Sequence, residues 1–182
     1  MCLGVVWVKK WICGILAVLI LLSAAPLCLA APETLTAQEI QPVPEVAAQN
    51  VYLKSLDTGA VIYTKNPDER IHPASTTKIM TLIVALENCD DLEKTVMVTE
   101  TFDDDLVFGS TSINLQVGEI LSVSDLLYAV AVSSANDAAN VLAEYIGGSI
   151  ENFVAMMNTK AAAIGAKGTH FVNVHGLTAE DH

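Results

Sequence analysis

The sequence predicts an α+β fold, because a β-hairpin pattern is followed by a series of helical patterns. Two runs rich in β-branched and aromatic residues, 51–56 and 60–64, flank a short turn that contains Gly59, as is typical of an antiparallel hairpin. Beyond the hairpin, apolar residues recur at helical spacing in four segments. The stretch 51–182 is long enough for one hydrophobic core, so we expect a single domain there.

Each predicted helix begins or ends at a recognisable signal. The first starts at Ser75, carries an apolar face, and ends near Asn88, where the pattern breaks. Serines can cap the later helices, and Gly165 is a typical helix stop. These later helices run from Ser122 or Ser124 to about Val132, from Asp137 to about Ile146 and from Ser149 to Gly165. Between the helices we predict a short strand over 95–99 and a loosely extended segment over 110–117.

The N-terminal residues have the order of features found in a secretory signal peptide. Lys9 and Lys10 precede the apolar run 11–22, and small residues follow at 23–31. A basic region, a short apolar region and a small-residue cleavage site define such a signal. We therefore predict a signal peptide over 1–30, with an uncleaved membrane anchor as the alternative. In either case the rest of the chain is exported.

Residues 31–50 form a predicted flexible linker, since they contain three prolines and no sustained apolar period. Without residues 1–30, the chain keeps seven of its nine Lys and Arg and all 21 Asp and Glu, for a net charge of −14. This charge argues against binding of nucleic acid and of anionic lipid head groups. Cys89 alone remains of the four cysteines, which excludes an internal disulfide.

Ser75 and Lys78 are the first candidate catalytic residues. They stand three positions apart at a predicted helix start, so the Lys78 amine can reach the Ser75 hydroxyl on the same side of the helix. A serine is a weak nucleophile until a base takes its proton, and a buried lysine of lowered pKa can be that base. The alternative is an N-terminal serine cap followed by a surface lysine.

A Ser-x-Asn pattern occurs twice, at 134–136 and at 112–114. We favour Ser134 and Asn136 as site residues, because they interrupt two predicted helices where short polar side chains can project into a cleft. Ser112 lies in a loosely alternating run, where a surface-facing serine is the ordinary interpretation.

The acidic and histidine residues form no recognisable metal motif. The triplet at 103–105 lacks the alternating ligand spacing of a calcium loop and is interpreted as a solvated loop. His170 and His175 lack the spacing and the cysteine partner of a zinc site. We expect neither a metal ion nor another cofactor.

Three motifs together resemble the exported serine-type D-alanyl-D-alanine carboxypeptidases, the low-molecular-mass penicillin-binding proteins of bacterial envelopes. They are Pro-Ala-Ser-Thr-Thr-Lys at 73–78, Ser-Ala-Asn-Asp-Ala-Ala at 134–139 and His-Gly-Leu at 175–177. Ser-x-x-Lys followed by Ser-x-Asn is typical of the penicillin-recognising serine enzymes. The resemblance implies their transpeptidase-type fold, a helical cluster packed on an antiparallel sheet that is shared with the serine β-lactamases.

The resemblance also implies a role for each site residue. Ser75 would attack the penultimate D-alanine carbonyl of a peptidoglycan stem peptide and form an acyl-enzyme, with Lys78 as the general base. Ser134 would pass protons with Lys78, and Asn136 would bind the substrate amide. Water would release the shortened peptide, and β-lactams would acylate Ser75 because they imitate the D-Ala-D-Ala end. For His175 we expect a packing or loop-fixing role and no chemistry.

Three features that the resemblance implies have no counterpart in this sequence. The third motif, Lys-Thr-Gly on a sheet strand, does not occur, and the resemblance also implies a C-terminal domain and an amphipathic anchor that are missing here. We interpret 51–182 as the N-terminal part of the catalytic domain, with an incomplete sheet. The 182-residue chain alone is expected to be a poor or inactive enzyme. Membrane association is expected only through the missing C-terminus or an uncleaved signal.

Three alternative functions remain open. A β-lactamase would need an added glutamate to activate the deacylating water, and nothing in the sequence places one. A transpeptidase would differ in the shape of its groove. A non-catalytic penicillin-binding sensor or envelope module is the alternative from another class, against which the intact Ser75, Lys78 and Ser134 argue.

Overall fold

The computed structural model describes residues 45–100, 102 and 105–182. The chain divides into two compact units, 1–47 and 48–182, and every helix and strand among the described residues belongs to the second unit. The predicted signal peptide over 1–30 and most of the predicted linker over 31–50 lie outside the described residues. In the part of the chain that is described, no helix is both long enough and apolar enough to cross a membrane.

The second unit begins with the predicted hairpin, which is confirmed. β1 (Val51–Lys54) pairs antiparallel with β2 (Val61–Lys65). The N–H of Ser55 donates to the carbonyl of Ala60 at 2.8 Å and closes the turn. Gly59 has a φ of +71°, a left-handed conformation that glycine adopts without a steric penalty.

Residues 48–50, predicted as the end of the linker, are hydrogen-bonded to the end of the hairpin. Nζ of Lys65 donates to the carbonyl of Ala48 at 2.8 Å, and Nδ2 of Asn66 donates to the carbonyl of Gln49 at 3.0 Å. These bonds tie the chain that enters β1 to the chain that leaves β2.

Among the described residues, four α-helices follow the hairpin, as predicted. They are α1 (Thr77–Glu87), α2 (Val123–Ser133), α3 (Asn136–Gly147) and α4 (Ile150–Ala163). A 3-10 turn over Ala74–Thr76 precedes α1, so the start of the predicted first helix is wound more tightly than an α-helix. Ser122 caps α2 through a capping box with Asp125, and Ser149 caps α4.

A second sheet forms between strands that flank a long loop. β3 (Thr95–Met97) pairs antiparallel with β4 (Ile120–Ser122). The sequence pattern predicts β3 but not β4, because three residues that end at a helix cap are too few to show a strand period of their own. The segment 110–117, expected to be extended, contains no strand. Two of its backbone N–H groups donate to a side chain of α3 instead of to a neighbouring strand.

The core forms around α3. Eight consecutive residues at its start, from Asn136 to Ala143, are buried. The other three helices all contact α3 and enclose it with apolar side chains. These side chains include Val84 and Ala85 of α1, Leu126 and Val130 of α2, and Phe153 and Met157 of α4. Because α3 is central, its first residue, Asn136, is fixed in the interior of the molecule.

The described sheets are small, which agrees with the predicted α+β class and incomplete sheet. Each has two strands, and a two-stranded sheet cannot bury an apolar face by itself. The hairpin accordingly leaves large apolar side chains about half or more exposed. They are Tyr52, Leu53, Val61 and Ile62.

Candidate active site

Ser75 and Lys78 lie at the start of the first helix, with opposite exposures. Ser75 is exposed in the 3-10 turn, whereas Lys78 is 3% exposed in the first turn of α1. Nζ of Lys78 donates to Oγ of Ser75 at 3.3 Å, which is the contact expected from their spacing. The residue before the serine, Ala74, has a φ of +48°. This left-handed conformation costs a non-glycine residue about 1 kcal/mol, and such strain is common at functional sites.

The Lys78 amine has three hydrogen-bond acceptors. Besides Ser75, it donates to Oδ1 of Asn136 at 2.6 Å and to the backbone carbonyl of His175 at 2.9 Å. Three acceptors match the three N–H groups of an ammonium. Burial nevertheless lowers the pKa of Lys78 from 10.5 to about 8, because leaving water disfavours the charged form. Relative to an exposed lysine, the free amine near pH 7 is roughly two orders of magnitude more abundant.

The predicted Ser134–Asn136 break is present between α2 and α3. Ser134 is half-buried and ends α2 with a left-handed φ of 54°, and Asn136 begins α3. Asn136 approaches Lys78 directly, whereas none of the Lys78 hydrogen bonds to described residues involves Ser134. The structure therefore brings together Ser75, Lys78 and Asn136 by hydrogen bonds that do not include Ser134, so the proton-relay role of Ser134 stays a prediction.

The loop 173–177 packs against α1 and against the 3-10 turn that carries Ser75. The carbonyl of Val174 accepts a hydrogen bond from Thr81 Oγ1, and the carbonyl of His175 accepts one from Lys78 Nζ. Gly176 has a φ of +89°, and a Cβ on it would lie 1.8 Å from the Ala74 carbonyl oxygen. Only a residue without a side chain fits this approach. The loop therefore contacts the backbone next to Ser75 through Gly176 and binds the amine of Lys78 through the His175 carbonyl.

The imidazole of His175 fixes this loop to the rest of the molecule, as expected for a loop-fixing histidine. Its Nδ1 accepts from the N–H of Leu177 at 3.2 Å, so Nε2 carries the proton and donates to Oδ2 of Asp105 at 3.0 Å. Burial acts to raise the pKa of Asp105, but hydrogen bonds from His175 and Asn140 hold it below its ordinary value.

Asp137 is a structural residue of the site that the sequence interpretation missed. Its fully buried carboxylate accepts hydrogen bonds from four donors. They are the Ser112 hydroxyl at 2.6 Å and the backbone N–H groups of Ile113, Leu115 and Ala138 at 3.2, 3.0 and 2.9 Å. The prediction that Ser112 faces the surface is wrong, because its hydroxyl holds the loop against Asp137. An aspartate directly after Ser-x-Asn, at a helix start, is the signal that could have identified it.

The site residues do not include a metal-ligand cluster. Among the described residues, no group of three or more His, Cys, Asp or Glu side chains is placed to hold a metal ion. The groups that the site does present are a serine hydroxyl, a lysine amine of lowered pKa and an amide. They suit nucleophilic acyl transfer with the lysine as base.

The fold belongs to the class formed by penicillin-binding proteins and serine DD-peptidases. Penicillin binding protein 5 from Haemophilus influenzae superposes with a TM-score of 0.70 at 35% identity, over 75% of this chain and 41% of that structure. Penicillin binding protein 6B from Escherichia coli gives a TM-score of 0.69 at 36% identity, over 75% and 45%. A mutant of the Streptomyces K15 DD-transpeptidase gives 0.72 at 33% identity, over 76% and 56%.

The chain is a member of the D-alanyl-D-alanine carboxypeptidase family, peptidase S11, which it matches over residues 36–182. It is 40% identical over 155 residues to the D-alanyl-D-alanine carboxypeptidase DacF of Bacillus subtilis and covers 40% of that protein. It is 37% identical over 163 residues to DacC of Escherichia coli and covers 41% of it. These alignments include 84% and 86% of the chain. The resemblance seen in the motifs is thus confirmed, and the chain spans about two fifths of the length of these relatives.

Proposed function

We propose that the full-length protein is an exported serine peptidase that removes the terminal D-alanine from peptidoglycan stem peptides and is inhibited by β-lactams. The observation that supports this most directly is the pairing of an exposed Ser75 hydroxyl with the buried Lys78 amine at 3.3 Å. A base whose pKa is about 8 is close to the value that suits proton abstraction near neutral pH.

In the proposed mechanism, the free amine of Lys78 takes the Ser75 proton as Oγ attacks the penultimate D-alanine carbonyl. The peptide C–N bond then breaks, and the leaving D-alanine amine takes a proton from the site, with Ser134 as the proposed relay. Water hydrolyses the acyl-enzyme and restores the Ser75 hydroxyl. The backbone N–H of Ser75, at the start of a helical turn, is one proposed donor to the oxyanion.

Asn136 is proposed to bind the substrate as well as the base. Its Oδ1 accepts from Lys78, whereas its Nδ2 makes no hydrogen bond to a described residue and can donate to the carbonyl of a substrate amide. One side chain would then orient both the base and the scissile group. No cofactor is needed for this chemistry.

We further propose that the protein acts on the outer side of the bacterial cytoplasmic membrane. The predicted signal peptide over 1–30, the predicted linker over 31–50 and the proposed catalytic stretch over 51–182 fit this location, and the named relatives are bacterial. The acidic charge disfavours nucleic acid as a partner. The proposed partners are stem peptides that end in D-Ala-D-Ala and, as covalent inhibitors, β-lactams. Membrane association is proposed through an uncleaved signal or C-terminal residues beyond 182.

Transpeptidation is the second candidate function. It is favoured by the fold similarity to a protein described as a DD-transpeptidase. The two activities share the acyl-enzyme and differ in whether water or an amine accepts the acyl group, so the Ser75 and Lys78 roles are the same in both.

The test is the intact mass of the full-length protein after exposure to benzylpenicillin. We expect a gain of one penicilloyl group, which Ser75→Ala abolishes and Ser55→Ala, in the hairpin turn, does not. Release of D-alanine from a stem peptide would then favour the carboxypeptidase, and transfer to an added amine the transpeptidase. A folded protein that gains no mass would refute the acyl-enzyme and favour a non-catalytic envelope module.

A further inference from the structure

We propose that Asp105 is a positioning residue for the Ser75–Lys78 pair and that it acts through His175. This inference rests on the proposed function, because it concerns the acylation of Ser75. Asp105 itself contacts neither Ser75 nor Lys78 by any hydrogen bond. Its effect would pass through the loop 173–177, whose carbonyl at His175 holds the Lys78 amine.

The contacts form a closed ring around Lys78. From Lys78, one path leads through Oδ1 of Asn136 into α3 and along one helical turn to Asn140. Nδ2 of Asn140 donates to Oδ1 of Asp105 at 2.7 Å. Oδ2 of Asp105 accepts from the ring of His175 at 3.0 Å, and the His175 carbonyl returns to Lys78 at 2.9 Å. Asp105 is the link that joins α3 to the loop 173–177.

The other members of the ring are buried, which makes the links stiff. His175 is 2% exposed, Asn136 3% and Asn140 0%. Asn140 also donates to the carbonyl of Phe102 at 2.9 Å, while its Oδ1 has no partner among the described residues. Its amide is therefore oriented entirely by its two donor contacts, one of which is Asp105.

A carboxylate is the group that this link requires. Both oxygens of Asp105 accept, one from each of two different elements. An asparagine at 105 would present its NH2 group to one of the two donors and lose that bond whichever way it turned. The side chain of Asp105 is 41% exposed, so Asp105→Asn leaves no buried charge unpaired and opens no cavity. The variant should therefore fold.

The expected consequence of Asp105→Asn is slower chemistry with unchanged binding. When the His175 ring loses its anchor, its carbonyl no longer fixes the Lys78 amine, and the base spends less time aligned with Ser75. We expect the acylation rate constant for benzylpenicillin to fall about tenfold, since small misplacements of reacting groups have large effects. The dissociation constant of the non-covalent complex should not change.

The matched control is Asp125→Asn. Asp125 is a carboxylate that also accepts hydrogen bonds, from the backbone N–H and hydroxyl of Ser122 in the capping box of α2, and it lies outside the ring. We expect this change to lower the melting temperature slightly and to leave acylation unchanged. A loss of stability alone would affect both variants alike, so the comparison separates positioning from stability.

The experiment follows acylation of the full-length protein by benzylpenicillin over a range of concentrations, with intact mass as the readout. If Asp105 acts through His175, Asp105→Asn combined with His175→Gln will be no slower than His175→Gln alone. If His175→Gln does not fold, the comparison of Asp105→Asn with Asp125→Asn decides. An unchanged rate constant in Asp105→Asn, or independent effects in the double variant, would overturn the inference while the proposed function stands. If the unsubstituted protein is not labelled, the proposed function fails, and this inference with it.

Discussion

Nζ of Lys78 lies 2.6 Å from Oδ1 of Asn136, although 58 positions separate these residues in the chain. The ammonium of Lys78 is therefore held by a neutral amide oxygen, and in the described part of the chain no carboxylate is within ion-pair distance of it. Dipoles stabilise a buried charge less than an opposite charge does, so desolvation dominates and the pKa falls. The proximity of Asn136 thus helps explain why Lys78 can be a base.

The first prediction is a pH dependence set by Lys78. Because the free amine of Lys78 is the proposed base and the pKa of Lys78 is about 8, acylation by benzylpenicillin should accelerate between pH 6 and 8 and level off above pH 9. Lys78→Arg should be inactive throughout, because a guanidinium does not lose its proton in this range. Lys160→Arg, on the surface of α4, should behave like the unsubstituted protein. A flat profile would argue against Lys78 as the base.

The second prediction concerns Asn136→Asp. A carboxylate beside Lys78 favours the ammonium form, so the pKa of Lys78 should rise above 8 and the acylation profile should shift to higher pH. We expect the largest deficit near pH 7 and partial recovery as the pH rises. Rates measured from pH 6 to 10 check this, with Asn152→Asp, on the exposed side of α4, as the control. A deficit that is equal at every pH would indicate lost substrate binding instead.

The sequence predicts the parts of the fold that depend on local patterns. The hairpin around Gly59 and the four helices follow from periodicity and capping residues such as Ser149. β4 was not predictable, because it exists only by pairing with β3, a contact between residues far apart in the chain. The segment 110–117 departs from its extended pattern for a similar reason, since the Asp137 carboxylate captures its N–H groups.

For the site, the i, i+3 spacing predicts the Ser75–Lys78 contact because both residues lie on one helical turn. The Lys78–Asn136 contact was not predicted, because it joins two helices and the resemblance paired Lys78 with Ser134 and Asn136 with the substrate amide. The contacts of Asp105 with Asn140 and His175 could not be foreseen, because they depend on loops folding back onto α3. For Asp137 the sequence offers one signal, its position directly after Ser-x-Asn at a helix start. Local chemistry is thus visible in the sequence, whereas the residues that position it depend on tertiary packing.

The third prediction tests Asp137 as the anchor of the loop 111–115. Asp137→Asn should lower the free energy of unfolding by about 2–3 kcal/mol, because an amide NH2 faces buried N–H donors that then lack a partner. Ser112→Ala removes one of the four hydrogen bonds and should cost about 1 kcal/mol. Urea unfolding of the full-length protein measures both. If both variants lose little stability, and by equal amounts, water replaces the hydrogen bonds that the Asp137 carboxylate makes, and the prediction is wrong.

The fourth prediction tests the close approach of Gly176 to the 3-10 turn that carries Ser75. A Cβ at Gly176 would lie 1.8 Å from the Ala74 carbonyl oxygen and 2.9 Å from Thr77 Oγ1, so in Gly176→Ala the turn or the loop must move. We expect a loss of about 1–3 kcal/mol in stability, as for other overpacked sites. Acylation should fall further than this loss of stability explains, because the backbone beside Ser75 is displaced.

The control for Gly176→Ala is Gly168→Ala. Gly168 has open space around its Cβ position and no left-handed φ, so this alanine should leave both stability and acylation unchanged. The two variants differ in what the added methyl group meets and in backbone conformation, because Gly176 alone of the two has a left-handed φ, of +89°. Normal acylation in a folded Gly176→Ala protein would show that the loop 173–177 can move away without displacing the Ser75 turn. The loop would then affect acylation only through the hydrogen bond between the His175 carbonyl and the Lys78 amine.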